Sequence, residues 1–276
     1  MPEKRGELTV TAVYTAQTWR WGKLDAAELF STGAARVLFW VTNFAMAVAR
    51  LFRPDLPSLK HGLVQRHAIL DAMLADSGCP TVLELAAGLS RRGASASADP
   101  GLTYVEVDLP PVVALKRRLL ATTARGREVA ARPNLRLVGA AIEDVAFDDL
   151  VGDGPVFVIA EGLMLYLDAA AQSALWTRLA AFLARRPGSA LAFDLVPWAE
   201  QPKPGRVGRA LESWFKRFTK GQSFAIDERT REDLTAQLRA AGFSQVEIVE
   251  PSGAPARWSI PFLDRRTQTV VFRATP

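Results

Sequence analysis

At 276 residues, 49% hydrophobic and 23% charged, the chain has material for one sizeable α/β core or two small domains, which excludes a disordered or low-complexity protein. The 34 Lys+Arg against 29 Asp+Glu leave a net charge of +5, distributed as pairs such as Arg91-Arg92, Arg117-Arg118, Arg185-Arg186 and Arg265-Arg266. Such pairs read as solvated, and no strand interleaves them with aromatics, so no nucleic-acid partner is expected and only a mild pull on acidic substrates follows.

Residues 1–60 read as a helical extension without a strand, built from "YTAQTWRWGKLDAAELF" and "GAARVLFWVTNFAMAVARLF". The uncharged run Val37 to Ala49, about 13 residues, is short of the roughly 20 that cross a membrane. No secretory leader opens the chain, so no membrane partner is expected. Cys79, the single cysteine, excludes an internal disulfide, and His61 and His67 assemble no zinc site. A reducing, cytoplasmic home fits this composition.

"HGLVQRHAILDAMLADSG" is an amphipathic helix that stops at Gly78 and Pro80. From Thr81 onward strands alternate with helices. The strands are "TVLEL", "TYVEVD", "NLRLVGA", "PVFVIAEG", "SALAFDLV", "SQVEIVE" and "QTVVFRA". The intervening helices include "PPVVALKRRLLATTARG", "DAAAQSALWTRLAAFLARRPG" and "TREDLTAQLRAAGF". This alternation predicts an α/β fold over 61–276, a doubly wound, Rossmann-like, seven-stranded and mostly parallel sheet. The last two strands, with no clear helix between them, predict an antiparallel hairpin at one edge.

In such a sheet ligands bind beyond the carboxyl ends of the strands. Glu84, Glu106, Asp108, Glu161 and Asp194 all fall at or just past such ends. Asp108 lies 20 residues after Gly88, where a carboxylate grips a ribose hydroxyl pair. The loop "AAGLSRRG" lacks the three glycines of a pyrophosphate cradle, but Ala86, Ala87 and Gly88 permit close backbone approach to a nucleoside without phosphates. This favours S-adenosylmethionine over NAD or FAD. Arg91 and Arg92, in the same loop, read as solvent-facing.

"VLELAAGLSRRG", "YVEVDLPPVVALKRRLL" and "VIAEGLMLYL", in that order, resemble the leucine carboxyl methyltransferase family and its bacterial branch of polyketide O-methyltransferases. The resemblance covers roughly 66–167, and implies S-adenosyl-L-methionine as cofactor and methyl transfer as activity. It matches Arg66 to the residue binding the methionyl carboxylate, Gly88 to the loop glycine and Asp108 to the ribose acid. Ala141 and Ile142 fall on the pair that frames the adenine, and Glu161 lies near the methionyl part.

The chain departs from the family where Ala141 replaces an aspartate, leaving Glu143, Asp144 or backbone to meet the adenine amine. It departs again where Trp19 follows Thr11, Ala12 and Ala16 in place of a basic residue, leaving Arg20 or Lys23 to supply the charge. Tyr166 in the "AEGLMLYL" motif and Asp194 after the fifth strand are the candidate catalytic groups. The acceptor is expected to be a small, acidic molecule, held by the N-terminal helices and an aromatic and basic insert at 197–224. Carboxylate methylation is favoured over phenol methylation, because a carboxylate is already ionised at neutral pH. A scaffold that binds cofactor without turnover is the competing reading, and the family also contains a methylase of protein C-terminal leucines.

Overall fold

The computed structural model describes residues 3–53, 56–197, 199, 228–265 and 267–276. The seven expected strands form β1 (Thr81–Leu85), β2 (Thr103–Asp108), β3 (Leu135–Gly139), β4 (Val156–Ala160), β5 (Ala190–Asp194), β6 (Gln245–Val249) and β7 (Val271–Thr275). They make one sheet in the order β3-β2-β1-β4-β5-β7-β6. The chain steps outward from β1 to β3, then returns to place β4 against the other side of β1. That reversal opens a crevice at the carboxyl ends of β1 and β4.

β1 to β5 are mutually parallel, whereas β7 is antiparallel to both of its neighbours, β5 and β6. The expected edge hairpin is therefore present in a modified form. The last strand inserts inside the sheet and β6 becomes the edge, because the connection from Glu250 to Val270 is long enough to cross back.

The all-buried sequence Val-Phe-Val-Ile-Ala of β4 reflects cover on both faces. One face packs on α7 (Ala169–Ala184) and α8 (Arg231–Ala240) through Trp176, Leu179, Leu234 and Leu238. The other packs on α3 (Leu59–Ser77) through Ile69, Leu70 and Met73. Each of the three helices starts or stops at a residue suited to it. Asp168 caps α7 by accepting from the Ala171 N–H, Thr230 and Asp233 form a capping box on α8, and Gly78 ends α3 in the left-handed region.

The segment expected as one helix from Pro110 divides into α5 (Pro110–Ala121) and α6 (Ala124–Ala130). Thr123 breaks it by capping the second piece, its hydroxyl accepting from the Gly126 N–H at 2.9 Å. A short helix, α4 (Arg92–Ala96), follows the β1 loop.

The N-terminal extension consists of α1 (Glu3–Trp21) and α2 (Gly33–Phe52). α1 shares an apolar cluster with the rest of the fold, Ala16 and Trp19 lying with Leu89, Ala94 and Leu120. α2 continues past Arg36 and Arg50 to a full 20 residues, longer than its uncharged stretch, and is apolar and long enough to cross a membrane. Of the insert at 197–224, all but Pro197 and Ala199 lies outside the described residues, as do Trp198 and Trp214.

α4 approaches β2 very closely. A Cβ on Gly93 would sit 2.1 Å from Glu106 Oε1 and 3.1 Å from Leu135 Cδ1, and Glu106 cannot swing away because it is buried and ion-paired with Lys116. Gly93→Ala is therefore expected to cost about 2 kcal/mol or more through overpacking. An unchanged urea midpoint for this variant would show that the approach is looser than described.

Candidate active site

The loop leaving β1 turns on two left-handed residues, Ala86 (φ 52°) and Gly88 (φ 53°). An alanine in this region is strained, and such strain is retained where a local shape is needed. Here it aims the backbone N–H of Gly88 at the end of β2, where it donates to Asp108 Oδ2 at 2.6 Å. The Leu109 N–H donates to Oδ1 at 2.6 Å. Each carboxylate oxygen keeps a further lone pair, so Asp108 can still accept from two hydroxyls. Burial pushes its pKa up, against the two backbone donors. α1 crosses above the loop, with Ala12 Cβ 3.6 Å from the position a Cβ on Gly88 would take.

Beside this loop lies a buried ionic cluster. Arg92 donates from Nε to Asp71 at 2.6 Å, from one terminal nitrogen to Glu84 at 2.5 Å and from the other to Glu161 at 2.8 Å. Glu84 also accepts from the Tyr104 hydroxyl at 2.7 Å. Arg66 donates to Glu161 at 3.0 Å and to Asp194 at 2.8 Å, and the Gly162 N–H donates to the other Asp194 oxygen at 2.5 Å. Gly162 is left-handed, and its missing Cβ leaves room for the Arg66 guanidinium, which would lie 3.3 Å from one.

Arg91 also salt-bridges Asp71, and its Nε donates to His67 Nε2 at 3.0 Å. Since an arginine Nε can only donate, His67 Nε2 accepts, and its proton sits on Nδ1, facing Glu161 Oε2 at 2.8 Å. The indole of Trp19 lies over His67 at 4.6 Å between ring centroids. Burial, with the Arg92 charge nearby, pushes the His67 pKa down to about 3. Burial opposes ionisation of Glu161, but His67, Arg66 and Arg92 overcome it and hold its carboxyl well below the usual range.

The arginine pair after β1 is therefore not solvated. Arg92 is 1% exposed and Arg91 8%, because α4 folds back under the loop and lays both side chains against α3 and the strand ends. Arg66, Glu84, Glu161 and Asp194 are brought together in this cluster, while Ala86, Gly88 and Asp108 form the adjoining loop. Both oxygens of Glu84 are taken by protein donors. Asp194 has its pKa raised by burial, against the pull of Arg66.

Tyr166 is hydrogen-bonded with Thr11 of α1 and lies near Arg66 and Asp194, and burial raises its phenol. Ala141 and Ile142 are half-buried after β3, with Glu143 and Asp144 exposed beside them. Trp19 is buried, its indole N–H without a partner among the described residues, whereas Arg20 and Lys23 are exposed. The sequence reading missed Asp71, took Arg91 and Arg92 as solvent-facing, and gave His67 no role beyond excluding a zinc site. One signal was available: Arg66, His67 and Asp71 in one helix, the latter pair four residues apart and therefore on one face.

The sequence pattern of the leucine carboxyl methyltransferase family matches residues 25–180, more than half of the chain. The chain belongs to this family. It is 39% identical over 134 residues to a Mycobacterium avium protein provisionally named an S-adenosyl-L-methionine-dependent methyltransferase, covering 46% of this chain and 42% of that one. The chain spans about half the length of the curated relatives it matches.

Among solved structures, it resembles PigF bound to SAH, at TM-score 0.50 and 14% identity, over 79% of this chain and 59% of that one. It also resembles a Bordetella parapertussis protein described as a possible exported protein, at TM-score 0.56 and 17% identity, over 99% and 96% of the two chains. At these identities the likeness establishes the Rossmann-like methyltransferase fold. The family match spans the stretch that holds Arg66, Gly88, Asp108 and Glu161.

Removing the Arg92 cation leaves the buried Glu84 with no cation and Glu161 with Arg66 alone, so Arg92→Met is expected to lose about 3–5 kcal/mol of stability in urea unfolding. A loss below about 1 kcal/mol would mean that the acids find other partners. His67 makes an acid-side contribution. Its imidazole takes a proton near pH 6.5 when unfolded but only near 3 when folded, so stability is full above pH 6.5 and declines as pH falls through that window. His67→Gln is expected to flatten the decline between pH 6.5 and 4, with thermal unfolding across that range as the measurement.

Proposed function

We propose that the chain is an S-adenosyl-L-methionine-dependent O-methyltransferase whose acceptor is a carboxylate on a small, acidic molecule. The observation that carries this reading is the pairing of Asp108 with the N–H of Gly88 at the mouth of the crevice, in a chain of the leucine carboxyl methyltransferase family. The residues fit the cofactor chemically. Asp108 retains acceptor capacity for two ribose hydroxyls, and the small loop residues admit a nucleoside without phosphates. The buried indole N–H of Trp19, without a partner among the described residues, is a spare donor in the layer above the loop.

The cluster of Asp71, Glu84, Glu161 and Asp194 against Arg66, Arg91 and Arg92, with His67 neutral, carries one net negative charge. That balance suits a ligand bearing cationic groups.

When bound, the cofactor supplies a methyl group on a positively charged sulfur, ready for in-line transfer to an oxygen. The protein's part is alignment and exclusion of water. Arg66, braced by Glu161 and Asp194 over Gly162, offers its guanidinium to the methionyl carboxylate. α1 closes the loop side through Ala12. Tyr166 stays protonated, its pKa raised by burial, and so serves as a donor that orients oxygen rather than as a base.

The two sequence-predicted catalytic groups offer no free base, since Tyr166 stays protonated and Asp194 spends both oxygens on Arg66 and the Gly162 N–H, and this favours a carboxylate acceptor. His67 is buried and neutral, and His61, packed between Trp21 and Phe262, is pushed down to about 4 by burial and by Lys60, Arg265 and Arg50. The net charge of +5 favours an acidic acceptor.

Titration calorimetry with S-adenosylhomocysteine is expected to show micromolar binding, weakened at least about 100-fold in Asp108→Asn by loss of two charge-assisted hydrogen bonds. Undiminished binding in that variant would overturn the site. Mass spectrometry of an acceptor panel should then show a one-methyl gain on carboxylic acids at a rate that is flat from pH 6 to 9. A rate rising about tenfold per pH unit would identify a phenol instead, and tight binding without any transfer would indicate a scaffold.

A further inference from the structure

α2 presents a continuous apolar face to the outside. Its inner side is committed to the protein: Ala35 and Phe39 are buried, and the Asn43 amide donates to the Tyr14 hydroxyl of α1 at 3.2 Å. The outer side carries Val37, Trp40, Val41, Phe44, Val48, Leu51 and Phe52, with Phe44 72% exposed and Leu51 79%. These positions recur at helical spacing and make a stripe ~22 Å long at 1.5 Å per residue. A stripe of this size is larger than the scattered apolar residues of an ordinary surface.

The charge around this stripe is mainly basic. No acidic residue occurs between Glu28 and Asp55. Arg36 is exposed at the start of the helix. At its end, Arg50 donates to the neutral carbonyls of Leu56 and Pro57, at 3.2 and 2.8 Å, and meets no carboxylate among the described residues. Lys60, 4.2 Å over the Trp21 ring, and Arg265 lie close enough to Arg50 for all three to act on one another or on His61. Exposed Leu59 and Leu263 extend the apolar surface into this basic group. Asp264, paired with Arg265, is the acid drawn into it.

We propose that α2, with the start of α3 and the Phe262–Arg265 turn, docks in the plane of an anionic phospholipid surface. The side chains of the stripe enter the boundary between headgroups and acyl chains, and the cations at either end meet lipid phosphates. Crossing the bilayer is excluded by the inner face, whose bonds to α1 keep the helix flat against the protein.

A second copy of the chain suits the surface less well. Two stripes packed together would find no carboxylate for the flanking Arg36 in either direction, because residues 29–54 contain no Asp or Glu. The inference is independent of the methyltransferase reading and runs against the sequence-based expectation of no membrane partner. It has a consequence for the site, because α1 lies between α2 and the Gly88 loop. Docking would bring the crevice to the lipid boundary, where amphiphilic acids concentrate.

The test is flotation of the full chain with vesicles of phosphatidylcholine alone and with 30% phosphatidylglycerol added. Binding is expected on the anionic vesicles only, and it should weaken as salt is raised. Phe44→Glu with Leu51→Glu should reduce it at least tenfold with an unchanged melting temperature, since both side chains are exposed. Arg36→Glu, which touches no apolar contact, should reduce it at least about fivefold.

Equal binding to neutral vesicles, or no binding to either, overturns the proposal. A concentration-dependent dimer that the double variant converts to monomer, without lipid binding, assigns the face to a second copy instead.

Discussion

Arg92 reaches three carboxylates from the first turn of a five-residue helix, and the crevice is held together by that reach. Glu84 belongs to β1, Glu161 follows β4 and Asp71 belongs to α3. One planar cation thus ties the two strands that flank the topological reversal to the helix covering one face. A guanidinium has a donor for each carboxylate in a fixed fork, which a lysine at the same place would lack. Burying these charges is costly, and the cost is tolerable only because every arm of the fork is used. Where such a cluster is complete, it also specifies one arrangement over others that would leave a charge unpaired.

The neighbouring groups take their states from this cluster. Arg91 dictates the His67 tautomer, His67 directs its proton at Glu161, and Glu161 with Asp194 aims Arg66 over Gly162. The histidine is consequently a strut, and its burial removes it from acid-base work at neutral pH. A site so arranged orients and desolvates rather than moves protons.

The N-terminal layer joins two surfaces with different chemistry. The inner side of α1 lies on Gly88 and carries Trp19 to His67, while α2 packs on α1 and turns aromatic and aliphatic side chains outward.

Much of this was readable from the chain. Each expected strand appears because runs such as "VFVIA" and "TYVEVD" are apolar, β-rich and bounded by turn residues, all of which are local properties. The acids at the strand ends and the single loop glycine were legible for the same reason. The helix break at Thr123 was not, since a threonine tolerated within a helix can equally cap a new one.

The insertion of β7 between β5 and β6 was hidden because pairing order is not written in either strand. The arginine pair was misread because a charge run usually faces water, and nothing within a few residues says otherwise. The sequence by itself determined the class of fold, the family, and the acids and loop glycine at the strand ends. Only the tertiary structure decided which charges are buried. Arg92 meets Glu84 eight positions away and Glu161 sixty-nine away, and those distances close only when the chain returns from β3 to lay β4 against β1.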